Sequence, residues 1–172
     1  MREDLKENIK ISLQKFIPFV LSLLMVFCVY IPSYFGISRI IRPDVGMICV
    51  FYWVIYRPDL FNMFAVFFLG FASDTISVGP LGSNIIAYLT IYVIVFNISS
   101  FFINKPFWVL WYGFSFVLIL AELVKWLVVS IFYAEFLPIG RIFFTILFSI
   151  AWYPVICFVN NAAREYLMND EG

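Results

Sequence analysis

No charged residue interrupts positions 16–38, a run of 23 residues, and a helix needs only about 20 apolar residues to cross a hydrocarbon core about 30 Å thick. Further apolar runs follow at 45–56, 60–73, 85–103, 107–133 and 142–161, separated by short charged breaks. The pattern predicts six helices at about 16–38, 43–57, 58–74, 84–104, 106–134 and 141–162, once flanking residues are drawn into the ends. Two of the runs have only 12 and 14 residues, which at about 1.5 Å per residue reach some 18–21 Å. They are expected as two short spanning helices, with Arg57 snorkelling and Asp44, Pro58 and Asp59 recruited at their ends.

Composition supports this architecture. Hydrophobic residues make up 64% of the 172 positions and mean hydropathy is +0.99, more apolar surface than a soluble domain of this size can hide. The expected fold is an all-α integral membrane protein, one transmembrane domain over 1–172 built as a six-helix bundle. Eleven basic residues balance eleven acidic ones, so no global field attracts nucleic acid and the bilayer is the surrounding partner. The first apolar run exceeds a signal-peptide core of about 7–15 residues, and no small-x-small cleavage site follows it, so it is expected to stay as a helix. Cys28, Cys49 and Cys157 lie in apolar runs without metal-ligand spacing and are expected as small buried hydrophobes. With no histidine anywhere, the commonest general base and metal ligand is missing, and no cofactor is expected.

Six spans put both termini on one face with Arg57 and Lys105. The basic tally is then seven (Arg2, Lys6, Lys10, Lys15, Arg57, Lys105, Arg164) against three (Arg39, Arg42, Arg141), with Lys125 inside a span. The positive-inside rule places both termini in the cytoplasm. Aromatic residues fall near the expected boundaries: Tyr30 and Tyr34, then Tyr52, Trp53 and Tyr56, then Trp108, Trp111 and Tyr112. They read as interfacial belts, although a chain with 22% aromatics places some there by chance. The segment 1–15 alternates four positive with three negative charges, too balanced for a lipid-binding patch.

Arg42-Pro43-Asp44 and Arg57-Pro58-Asp59 each precede a short segment and read as helix starts, because proline suits the first turn and aspartate complements the helix dipole. Simple turns are the plainer alternative. The stretch 70–84 is the most structured polar segment, and irregular backbone near a membrane must be satisfied by protein or water. Asp74 is expected to organise it by accepting from the N–H groups of Ile76 and Ser77 in an Asx-type turn; a ligand or proton site is the functional alternative. Glu122 and Lys125 lie three apart near the middle of the fifth span, on one helix face. Charges there cost at least about 2.5–3.5 kcal/mol each, so they are expected to pair with each other or to face a cavity or a neighbouring helix.

Arg42-Pro43-Asp44, Tyr52-Trp53, Pro58 and above all the series Gly70, Asp74, Ser77, Leu81-Gly82, a Gly-x3-Asp-x2-Ser-x3-Leu-Gly pattern, resemble the signature of MreD, the rod shape-determining membrane proteins of bacteria. The similarity is densest from Arg42 to Tyr88, with echoes at Ala134-Glu135-Phe136-Leu137 and Trp152-Tyr153-Pro154. The resemblance implies a non-enzymatic scaffold of the cell-elongation machinery in the bacterial cytoplasmic membrane. It would bind the bitopic protein MreC and, through it, link MreB filaments to peptidoglycan synthases. Arg42, Pro43, Asp44, Trp53, Gly70, Asp74, Ser77, Leu81 and Gly82 become structural or partner-binding candidates. Glu122 and Lys125 join them on their own chemistry, since the family pattern is hardest to follow in the fifth span.

The family is also similar in fold to the six-helix S components of energy-coupling-factor transporters, which keeps a micronutrient-binding subunit as the alternative. An S component needs convergent polar groups at an outer pocket, and beyond 74–84 none is legible. A membrane enzyme acting on lipid phosphates needs acidic clusters or several basic residues at one depth, and the sequence has neither.

Overall fold

Hydrocarbon offers no partners to a backbone, so each apolar run closes its own N–H and C=O groups by coiling. In the computed structural model, residues 2–30, 42–77 and 79–169 are described, except for the side chains of 2–15, 168 and 169. Six helices result: α1 (Arg2–Tyr30), α2 (Val45–Tyr56), α3 (Met63–Ile76), α4 (Ser83–Phe102), α5 (Phe107–Tyr133) and α6 (Ile139–Asn169), with no strand among the described residues. By length and composition α4, α5 and residues 139–167 of α6 are able to cross a bilayer, while the apolar parts of α1, α2 and α3 are shorter. The protein is an all-helical membrane protein. Residues 31–38 of the first expected span, Tyr34, Arg39 and Val78 lie outside the described residues; α1 itself starts well before position 16.

The short α2 is the axis of the bundle. It packs against all five other helices, and eleven of its twelve residues are buried. A helix enclosed by protein does not have to match the hydrocarbon thickness, which is why 12 residues suffice. Tyr52 and Trp53, expected at an interfacial belt, are inside the bundle, Trp53 with 0% exposure. Trp108 and Tyr112 do lie exposed. Cys28 is also exposed, against the expectation of burial, whereas Cys49 is buried.

The other helices each bury one stripe. Val66, Leu69, Gly70, Ser73 and Asp74 face inward on α3, Asn84, Ala87, Tyr88, Ile91 and Val95 on α4, and Leu110, Phe114, Val117, Leu118, Ala121 and Glu122 on α5, the three-and-four spacing of one helical face. Phe64, Phe67, Phe68 and Phe71 cover the opposite side of α3. At the centre, the Phe51 ring meets Phe102, Phe114 and Tyr153 edge-on at 5.8, 5.3 and 6.1 Å, and Phe114 stacks on Tyr153 at 4.6 Å, tying α2, α4, α5 and α6 together.

Of the two Arg-Pro-Asp segments expected to start helices, the first does so and the second does not. Asp44 is the N-cap of α2, its carboxylate accepting from Met47 N at 3.2 Å. The second Arg-Pro-Asp is a turn: Arg57 closes α2, residues 58–60 turn, and α3 starts after Asn62, whose side chain accepts from Ala65 N at 3.0 Å. Asn62, a favoured N-cap residue, directly precedes Met63, whereas Pro58 and Asp59 lie five and four residues ahead of Met63 and outside the first turn. In α6, Pro154 lacks the N–H that Ile150 C=O would accept; the Trp111 indole N–H donates there instead at 3.1 Å.

Candidate functional site

The two motif segments converge on one polar network. Asp74 ends its helix buried and sends its carboxylate forward to the start of α4. Its Oδ2 accepts from Gly82 N at 2.9 Å and Ile85 N at 3.3 Å, and its Oδ1 from Asn84 N at 2.9 Å and the Ser83 hydroxyl at 3.2 Å. The N-cap position of α4 is Gly82, which has no side chain, so the anion that the positive end of α4 attracts is supplied by α3. Gly82 adopts φ +103°, a left-handed conformation that favours glycine.

This geometry corrects the expected Asx turn. Asp74 does organise 70–84, but its acceptors serve α4 rather than Ile76 and Ser77, because Asp74 and those residues still belong to the last turn of α3 or its cap. Ser77 N bonds back to Ser73 C=O at 2.9 Å, and Ser77 Oγ accepts from Asn84 Nδ2 at 3.1 Å. Gly70 sets the distance between the two helices: a Cβ built there lies 2.8 Å from Ile85 Cα. Leu81, by contrast, is 73% exposed and takes part in none of these contacts.

Ser73, next to Asp74, joins this cap to the first motif. The Tyr88 hydroxyl donates to Asp44 Oδ1 at 2.8 Å and lies 3.1 Å from Ser73 Oγ. Asp44 Oδ2 accepts from Lys125 Nζ at 2.9 Å, and Asp44 N donates to Ser149 Oγ at 2.8 Å. Asp44 thus meets α4, α5 and α6 from the start of α2. Beside it, Pro43 C=O accepts from Val45 N at 3.1 Å, and the Arg42 guanidinium lies 5.1 Å from the Tyr30 ring centroid.

The two charges of α5 therefore act differently from a simple internal pair. Lys125 reaches across to Asp44, and its distance to Glu122 Oε1 is 3.9 Å. Glu122 is buried, with 5% side-chain exposure, and its Oε1 makes no hydrogen bond among the described residues. Lys125 sits between two carboxylates at the junction of α2 and α5, an arrangement whose removal leaves uncompensated charge inside the bundle.

Trp53 belongs elsewhere. Its indole N–H donates to Asn160 Oδ1 at 3.1 Å, and Tyr52 hydroxyl donates to Asn161 Oδ1 at 3.2 Å, fixing the far end of α2 to α6. Of the predicted residues, Asp44, Gly70, Asp74, Ser77, Gly82, Glu122 and Lys125 lie in or against the network, while Trp53 and Leu81 do not. Sequence reasoning missed Ser73, Tyr88, Asn84, Ser149 and Asn160. Asn84 and Tyr88, four apart on one face of an apolar helix, were a usable signal; a lone Ser149 in an apolar run was not.

Among the described residues no group of three or more Cys, Asp or Glu side chains is placed to hold a metal ion. What the network can do chemically is fix five helices against one another by charge-assisted hydrogen bonds. Comparison with known proteins agrees with the motif. The chain is 28% identical over 164 residues to an uncharacterized protein of Rickettsia prowazekii (strain Madrid E), covering 94% of each. No solved structure matches it. The model of the family "rod shape-determining protein MreD" matches residues 9–161, and with the motif residues gathered around Asp44 and Asp74 the chain belongs to the MreD family.

Proposed function

We propose that the protein is a non-enzymatic scaffold of the bacterial cell-elongation machinery, a multi-pass protein of the cytoplasmic membrane with both termini in the cytoplasm. It holds an MreC-like bitopic partner and through it links MreB filaments to peptidoglycan synthases, maintaining rod shape. The observation that carries this reading is membership of a rod shape-determining family over nearly the whole chain. Two features support it: the charged interior joins helices to helices, and with six spans the basic residues of the sequence divide seven to three in favour of the face that carries the termini.

Depletion in a rod-shaped host is expected to give round cells while isolated synthase activity is intact, and a partner of the MreC type is expected to co-purify. Loss of uptake of one vitamin with shape unchanged would refute the scaffold in favour of the transporter subunit. A reporter active only in the cytoplasm, fused after Gly172, is expected to give signal; a silent but stable fusion sinks the topology.

A further inference from the structure

A crevice of about 290 Å³ opens at the end of the bundle where α2 finishes, α5 begins and the second half of α6 passes. Its floor is buried Tyr153 and Leu110 with the Tyr52 ring, and its rim includes the exposed Pro154 and Phe158. Beside an exposed apolar rim within a membrane, such a space takes up lipid rather than water, because hydrocarbon is the solvent there.

The crevice is amphipathic. At its polar end Asn161 accepts from the Tyr52 hydroxyl at 3.2 Å, and one turn further along α6 the Arg164 guanidinium stacks over the lining Tyr56 ring at 4.4 Å. The Arg164 Nε is buried yet has no hydrogen-bond acceptor among the described residues. Glu165, the next residue in the chain, accepts from Asn161 Nδ2 at 2.9 Å. Arg57, next to Tyr56 in the chain, pairs with Asp59 at 3.4 Å, and Lys105 lies over the Phe101 ring at 5.2 Å, so Arg164 is the cation that meets the crevice lining itself. A buried guanidinium N–H lacking an acceptor matches a phosphate oxygen, and cations near a membrane surface attract anionic headgroups.

We propose that this crevice is a binding site for one anionic phospholipid, an acyl chain lying along Tyr153, Leu110 and Phe158 and the headgroup phosphate accepting from Arg164. The site is separate from the Asp44 and Asp74 network and does not rest on the scaffold reading, because its test needs only the purified protein.

The full-length protein is reconstituted in vesicles of equal parts phosphatidylglycerol and phosphatidylcholine, re-extracted in mild detergent, and its retained lipid measured by mass spectrometry. Phosphatidylglycerol is expected to be enriched at least fivefold over phosphatidylcholine. Arg164→Gln is expected to abolish the enrichment, Arg164→Lys to restore most of it, and Cys157→Trp, which fills the crevice from its lining, to remove both lipids. Thermal melting of each variant after lipid removal separates lost binding from lost folding. Equal retention of both lipids by the wild type, undiminished enrichment in Arg164→Gln or Cys157→Trp, or a polypeptide held in the crevice instead of lipid, overturns the proposal.

Discussion

Replacing Asp74 tests the link between α3 and α4 most directly. Its carboxylate satisfies three backbone N–H groups, of Gly82, Asn84 and Ile85, and the Ser83 hydroxyl. With Asp74→Leu all three N–H groups lose their acceptor, and each buried unsatisfied donor costs about 1–3 kcal/mol. Gly82 and Ile85 are only half-buried, so the lower part of that range applies to them and the total comes to about 4 kcal/mol. Asp74→Asn keeps one oxygen and turns an NH2 toward the other two donors. It retains one pair of bonds and loses the second, together with the charge that favours the start of α4, for a cost of about 2 kcal/mol. Reversible unfolding in mixed detergent micelles, followed by tryptophan fluorescence, is expected to rank wild type above Asn above Leu in steps of that size. Asn equal to wild type, or Asn as damaging as Leu, refutes the cap. A fully stable Asn variant that fails to support rod shape would instead make Asp74 a proton-transfer group.

Three further outcomes follow from the geometry. Lys125→Met is expected to destabilise by about 3 kcal/mol, since it leaves Asp44 and Glu122 without the cation they share, and Asp44→Asn by less, since Lys125 keeps Glu122 at 3.9 Å, while the double variant costs less than the two losses added; additive losses in the same unfolding assay count against the pair. Gly70→Ala is expected to cost about 1–3 kcal/mol because its Cβ meets the Ile85 backbone at 2.8 Å and side-chain rotation cannot relieve it; a neutral Gly70→Ala variant shows that α3 and α4 separate freely. Trp111→Phe is expected to cost about 1 kcal/mol more with Pro154 present than in a Pro154→Ala background, where the restored N–H satisfies Ile150 C=O; equal costs in the two backgrounds show that the indole does not replace that donor.

Much of the candidate site was legible before folding was considered. The spacing Gly70, Asp74, Ser77, Gly82 already marks a tight helix connection organised by one carboxylate, and the structure builds that connection. Which donors Asp74 serves was not legible, because an aspartate near a helix end has local N–H groups and those of the next helix within similar reach in sequence. Lys125 was singled out by its cost in hydrocarbon, yet its nearest partner lies 81 positions away. Glu122, the neighbour that spacing offers, is the more distant of its two carboxylates. Tyr52 and Trp53 looked like boundary aromatics because they end an apolar run, and they are buried because that run is the central helix.

The sequence by itself determined that the chain is helical and lies in a membrane, where each segment must close its own backbone bonds in hydrocarbon, a requirement read locally from runs of apolar residues. It also determined the glycines and carboxylates that mark the family. Only the tertiary structure decided that α2 is enclosed, that Asp44 rather than Glu122 takes the short bond from Lys125, and that Ser73 and Tyr88 merge the two motifs into one network. The reason is that helices apolar nearly all round carry little periodic signal for which face turns inward, so partner choice depends on how the helices pack against one another.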